Sequence, residues 1–389
     1  MKIRTIAALA LAAAALAACG GGGGIGGTGS RAMGTLHVAL TDAPSCGYDA
    51  VHITVEKVRV HQSSGAGDGD AGWSEVVLSP PRRVDLLTLT NGVLEDLGQT
   101  TLPAGKYTQM RLVLAANGPI DALANSVTPT GGAEVALTTP SAQQSGLKLN
   151  VDIDVAPDQT ADVVLDFDAC KSVVRRGNSG QYNLKPVIAV VPVVSSAGGR
   201  VVGYVDPSIA LGSTLVSLQA GGVPVKATTP DVNGKFVLYP VPPGSYALVV
   251  SAAGHVTAVM TGVPVVDTAY TYVNGPALAL VPPMATSRVV TGSVTPATAS
   301  LRALQSLSGG PVIETAWAPV DASTGAFGFT LPIEAPVKTV YVANPTALAF
   351  AADTAAAGKY TLEAAADGAT KTQAINVGAT VPPLAFTFP

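Results

Sequence analysis

Residues 51–61 read VHITVEKVRVH, and Val51, Ile53 and Val55 alternate with polar positions before the phase slips and Val58 and Val60 resume it. A period of two belongs to a strand with one buried face. A slip of one residue is what a β-bulge introduces. The stretch therefore predicts a strand with a bulge near Glu56 and Lys57. Upstream, TLHVAL (residues 35–40) alternates in the same way. The turn-forming cluster TDAPSC lies between the two runs and ends in Cys46.

The same pattern continues along the chain. The segments RRVDLLTL, VLEDLGQTTL, LKLNVDIDVAP, TADVVLDFDACKSVV and QYNLKPVIAVVPVV all alternate between Gly, Pro or Asn residues. Thr90-Asn91-Gly92 separates the first two and predicts a hairpin, with a helical turn or two around residues 90–97. With 42 Gly, 29 Pro and 48% hydrophobic residues, the composition fits short strands joined by tight turns, and the fold class is all-β. Residues 34–194 form the first domain. Net charge is −4 and the chain has no Lys/Arg cluster. Nucleic-acid binding needs clustered cations to displace counterions, so that partner class is excluded.

The N-terminus has the features of an export signal. Lys2 and Arg4 precede an apolar run from Ile6 to Ala15, too short to span a bilayer, which needs about 20 residues. The run ends in Leu16, Ala17, Ala18 and Cys19 and resembles the bacterial lipobox. The resemblance implies that residues 1–18 are a cleaved lipoprotein signal peptide and that Cys19 becomes the lipidated first residue. Gly20 in place of Asp implies onward sorting to the outer membrane, so the lipid makes the membrane a partner. Residues 19–33 form a Gly-rich tether without the side chains to hold a fold.

Cys46 and Cys170 remain. An exported chain meets an oxidising compartment, where one pairing between them is expected. It closes a loop worth ~4–5 kcal/mol in the chain-entropy model. Two buried free thiols are the alternative.

Seven runs in order, namely GTLHVALTDAP, YDAVHITVEKVRVH, VDLLTLTNG, LPAGKYTQMRLVL, SGLKL, LDFDACKSVV and YNLKPVI, resemble an uncharacterised family of bacterial lipoprotein domains catalogued as a domain of unknown function. The resemblance implies an extracytoplasmic β domain and no assigned chemistry. Residues 231–255, DVNGKFVLYPVPPGSYALVVSAAGH, are similar to the carboxypeptidase regulatory-like, or prealbumin-like, sandwich. That likeness places a second module at 200–283, with a tight turn from Asp231 to Gly234, Phe236 and Leu238 in a core, and the Tyr246 hydroxyl bonding back to the chain. It carries a carbohydrate-binding-like fold, which is a statement about architecture and not about a ligand. VVTGSVTP, DASTGAFGFTLP and AAAGKYTLEAAADG repeat the theme and place a third, divergent sandwich at 288–389. Gly105-Lys106-Tyr107, Gly244-Ser245-Tyr246 and Gly358-Lys359-Tyr360 are one device used three times.

No nucleophile elbow, HExxH, phosphate loop or EF-hand spacing occurs, so no catalytic residue, cofactor or resident metal is expected. His52, Glu56 and His61 support a metal-dependent hydrolase only if they converge. Asp152, Asp154, Asp162, Asp166 and Asp168 alternate along two strands, and would need to meet to hold Ca2+. Solvated strand faces carry such residues routinely. Trp73 and Trp317 are the only tryptophans, few for a glycan binder, and Trp73 is expected to start a strand with its ring in the core. The expected function is non-enzymatic binding at the envelope, with a glycan or an envelope protein as partner. A structural lipoprotein using its sandwiches as spacers is the alternative. The polar loops at 61–72 and 117–144 place the ligand site on the first domain.

Two outcomes follow from the cysteines. Cys19→Ala should abolish labelling by a palmitate analogue and release the protein from membranes, and persistent labelling would refute the lipobox reading. The intact mature protein should weigh about 2 Da less than its reduced form, with a peptide map joining Cys46 to Cys170. Two alkylatable thiols would refute the pairing.

Overall fold

The computed structural model describes residues 32–42, 47–139, 146–193, 198–209 and 211–389. The signal peptide, nearly all of the tether, Cys19 and Cys46 lie outside the described residues. Strand accounts for 57% and helix for 5%, arranged as tandem β-sandwiches.

In the first sandwich the smaller sheet runs, in spatial order, Ile188–Val193, Thr160–Phe167, Met33–Asp42 and Glu95–Pro103. The larger sheet centres on Tyr48–His61, flanked by Gly105–Leu114 and Ser126–Pro129 and also paired with Ser74–Asp85. The alternation decides what each sheet buries. Leu36, Val38 and Leu40 meet Val51, Ile53, Val55, Val58 and Val60 in one core. The register of Tyr48–His61 shifts between Val55 and Lys57 against two neighbouring strands, which is the bulge the phase slip predicts.

The Asn91-Gly92 turn differs from the expected hairpin. Both residues have positive φ, +60° and +81°, as the dipeptide favours. The strands on either side nevertheless enter different sheets, because Glu95–Pro103 pairs with Met33–Asp42. The helical turn sits earlier than expected, at Leu86–Thr88, where Asp85 accepts from the Leu87 N–H. Alternation identifies a strand without naming its partner, so two strands joined by a short turn looked like a hairpin.

The second and third sandwiches share a topology. In each, a strand carrying the Val-x-Gly pattern pairs antiparallel to one neighbour and parallel to another: Arg200–Tyr204 with Lys235–Leu238 and Tyr270–Tyr272, and Ser287–Thr295 with Ala326–Pro332 and Leu384–Thr387. Gly203 and Gly292 are required by close approach. A Cβ on either would fall 2.3 or 2.4 Å from the ring of Phe236 or Phe327. The Gly-x-Tyr device also recurs. The hydroxyls of Tyr107 and Tyr246 donate to the carbonyls four residues upstream, Pro103 and Pro242, at 2.8 Å. Tyr360 has Ala356 at that position and donates instead to the Pro332 carbonyl at 2.8 Å.

One segment crosses between sandwiches. Val337–Val340 pairs parallel with Ala258–Val265, and Ala351–Ala352 pairs with Val337–Val340. Both lie in the span expected for the third sandwich, yet they extend the second one's sheet. Tyr341, Leu348 and Phe350 pack on the second core.

Hydrogen bonds and apolar contacts tie the three sandwiches together. Between the first and second, Lys226 donates to Asp166 Oδ1 at 2.6 Å, with side-chain exposures of 1% and 10%. Asn91 accepts from the Val237 N–H at 2.5 Å, and its own N–H donates to Thr228 Oγ1 at 2.7 Å. Between the second and third, the Gln219 amide pairs with the backbone of Glu314, donating at 2.8 Å and accepting at 2.7 Å. Ala247, Val249, Val259, Leu307 and Ile313 form a small core beside it. Between the first and third, the Ala322 N–H donates to the Arg175 carbonyl at 3.0 Å and the Gly177 N–H to Asp321 Oδ2 at 2.7 Å.

Candidate functional site

The sandwiches meet at a chain of alternating charges. Asp168 and Glu314 lie 3.5 and 3.3 Å from the Lys171 ammonium, which stands on the α-helical turn Ala169–Ser172. Arg302 follows, 3.6 Å from Glu314 and 2.6 Å from Glu363. Strand register explains the last step, since Arg302 lies directly opposite Glu363 on one neighbour and Trp317 on the other. Burial alone would lower the affinity of Lys171 for its proton, but Glu314 and Asp168 together outweigh it and raise its pKa. Arg302 is likewise raised: burial pushes it down, but Glu363 and Glu314 together outweigh that.

Two cavities flank this chain. The larger, about 690 Å3, opens between the first and third sandwiches and includes Asn183, Lys185, Arg302 and Trp317 in its wall. The smaller, about 330 Å3, lies where all three sandwiches meet and includes Cys170, Gln219 and Thr315. Lys171, Glu314 and Trp317 line both. Asn183 Oδ1 is buried in the larger wall without a hydrogen-bond partner. A buried acceptor left unpaired costs about 1–3 kcal/mol, and this one is closed off from the cavity itself.

A second polar cluster lies beside the first–second contact. Asp42 Oδ1 accepts from the Ala169 N–H at 2.8 Å, while Oδ2 is buried with no partner. Burial pushes the Asp42 carboxyl well above the ordinary carboxylate range, and Asp168 and Asp166 add to this. Burial also raises Asp166, with Lys226 opposing it.

The residues singled out from sequence mostly scatter. His52 faces Glu134 at 3.7 Å, whereas His61 accepts from the Ser63 N–H at 2.9 Å near the other end of the same strand. Nine residues of extended chain separate them by about 30 Å, so the pair does not converge with Glu56. Asp152 pairs with Lys106 at 2.7 Å, Asp162 with His37 at 2.7 Å and Asp166 with Lys226. Asp168 caps the helical turn by accepting from the Lys171 N–H. Asp154 joins Asp152 and Asp162 only along a shallow pocket. Among the described residues no group of three or more His, Cys, Asp or Glu is placed to hold a metal.

Trp73 is half-buried on the outer face of its sheet and is not in the core. The guanidiniums of Arg59 and Arg111 lie 4.6 and 4.9 Å from its ring, and its Nε1–H donates to the Gly67 carbonyl at 2.9 Å. The loop at 61–72, expected as a ligand loop, is thus folded onto its own sheet. Cys170 occupies the helical turn. Gly47, next in sequence to Cys46, lines the smaller cavity with it, and Asp42 bonds to its neighbour Ala169.

Sequence reasoning missed Lys171, Asn183, Lys185, Arg302, Glu314 and Glu363. Arg302 and Glu314 occupy outward positions in SLRALQS and VIETAWA, half-buried where the alternation predicts exposure. That burial depends on the other sandwiches, which a single strand's pattern does not record.

Residues 33–186 match the model of a family described as a domain of unknown function (DUF4382). No curated protein matches the chain. Among solved structures, ligand-free PulA from Klebsiella pneumoniae aligns at 11% identity with a TM-score of 0.15. A mutant of the same protein aligns at 10% and 0.14. Each alignment covers 86% of this chain but only 29% and 30% of those chains, so this chain spans under a third of their length.

The buried Asp42 makes a testable statement about pH. A carboxyl whose folded pKa is raised contributes stability that is present below its unfolded pKa and lost as pH rises through the folded value. Asn keeps the acceptor for Ala169 and cannot ionise. Asp42→Asn should therefore raise the melting temperature by a few degrees at pH 8, with the gap closing toward pH 4. A lower melting temperature for the variant at pH 8 would contradict this.

Proposed function

We propose that the protein is an outer-membrane lipoprotein that binds a carbohydrate at the cell envelope without transforming it. The observation that carries this reading is the larger junction cavity. Its wall combines the Trp317 ring with several fixed charges, among them Lys185, Arg302 and Glu363. An aromatic face takes the apolar side of a sugar ring while polar groups fix its hydroxyls, and the volume lies within the 300–1,000 Å3 typical of ligand sites. The lipid at Cys19 and the tether to residue 33 attach this body to the membrane. A Cys46–Cys170 bond is supported by the flanks of Cys46, since Asp42 and Gly47 both reach the surroundings of Cys170. The Asp231 and Asp321 turns, with their Phe236 and Phe327 anchors, support carboxypeptidase regulatory-like modules at 200–283 and 288–389.

Because the cavity wall comes from the first and third sandwiches, residues 34–194 alone lack half of it. This revises the expectation of a site on the first domain's loops with two trailing spacers. A purely structural role is the second reading. It is favoured by the Gln219 clasp and the small core beside it, which make the C-terminal pair a stiff unit.

A glycan array probed with the full chain tests the proposal. Trp317→Ala should weaken the strongest signal at least tenfold, while Trp73→Ala leaves it unchanged. Absence of any glycan signal, or a signal indifferent to Trp317, would favour the structural reading.

A further inference from the structure

The charges around the larger cavity narrow its ligand, provided that the cavity is the binding site. Its two carboxylates are already compensated, because Glu363 is bound by Arg302 and Glu314 lies between Arg302 and Lys171. Lys185 is different. Its ammonium donates to the Thr298 carbonyl, and among the described residues it has no carboxylate within 4.0 Å. Lys185 is exposed, and Asp367 is the acidic group whose charge acts on it. Its carbonyl partner leaves the positive charge uncompensated, and an anionic ligand would add the Coulomb attraction that a carbonyl lacks.

Lys185 follows directly on the strand Tyr182–Leu184 and lines the same cavity as Trp317. One wall thus presents a cation, and the other presents an aromatic ring.

We propose that the cavity selects an acidic saccharide, a uronic-acid unit whose carboxylate meets Lys185 and whose ring lies against Trp317. Lys185 is the specificity-determining residue. It distinguishes acidic from neutral sugars, while Trp317 serves both.

Titration calorimetry of the full chain tests this with two probes of equal length, an oligogalacturonate and its fully methyl-esterified, neutral form. The acidic probe should bind at least tenfold more tightly in 20 mM salt, and the preference should shrink several-fold in 500 mM salt, where screening is short-ranged. Lys185→Gln keeps a donor for Thr298 and removes the charge. It should bind both probes equally, at the wild-type affinity for the neutral form, with an unchanged melting temperature. Equal binding of the two probes by the wild type would overturn the acidic assignment. So would a preference that survives in Lys185→Gln. If the neutral probe still binds in a Trp317-dependent way, the carbohydrate reading stands alone. If neither probe binds, this inference fails, and the glycan array decides separately whether the broader reading fails with it.

Discussion

The arrangement of the three sandwiches depends on the burial of one ammonium group. Lys226 is almost entirely withdrawn from water, and the carboxylate that balances it, Asp166, belongs to another sandwich. The effective penalty for desolvating an ion is several kcal/mol, and it is recovered only while the partner stays in place with good geometry. Opening the contact would expose both groups to water, so the pair contributes little net stability. A displaced or misregistered contact would leave one charge buried and unpaired, which is far more costly. The pair therefore acts mainly as a register device. It permits one docking of the second sandwich against the first and penalises its neighbours.

Once that register is set, the rest of the junction follows. Asp166 lies on the strand that leads directly into Asp168 and the turn carrying Cys170 and Lys171. Fixing Asp166 against the second sandwich therefore fixes Lys171 in space. The third sandwich is held to the second by the Gln219 amide, which bonds the backbone of the same residue, Glu314, whose side chain meets Lys171. Two independent tethers thus bring Lys171 and Glu314 together. The cavities on either side are the volume that three convex sandwiches leave when held this way.

Much of the fold was legible because it is local. The bulge follows from a phase slip within eleven residues, and the tyrosine hydroxyls find carbonyls close by in two of three cases. What was not legible depends on partners far along the chain. Asn91-Gly92 has the right dihedrals for a hairpin, yet its ends pair with different sheets, since nothing in the dipeptide records which strands lie beside it. Val337–Val340 is apolar and β-branched enough for either neighbour, and it joined the second sandwich because the edge of Ala258–Val265 was free to take it. The candidate site was the least legible part. Each of its residues is ordinary on its own strand, and only their convergence is informative.

A cavity whose walls belong to separately folded units couples ligand affinity to docking. The proposed ligand, touching Trp317 on one side and Lys185 on the other, would bind only when the first and third sandwiches are together. By linkage it stabilises that docking by the same free energy that docking contributes to binding. The helical turn Ala169–Ser172 lies between Asp42, on its own sandwich, and Glu314 of the third. That turn is held between them by the Ala169 N–H on Asp42 and the Lys171 ammonium on Glu314. The coupling requires no moving lid and follows from placing the proposed site between domains and not within one.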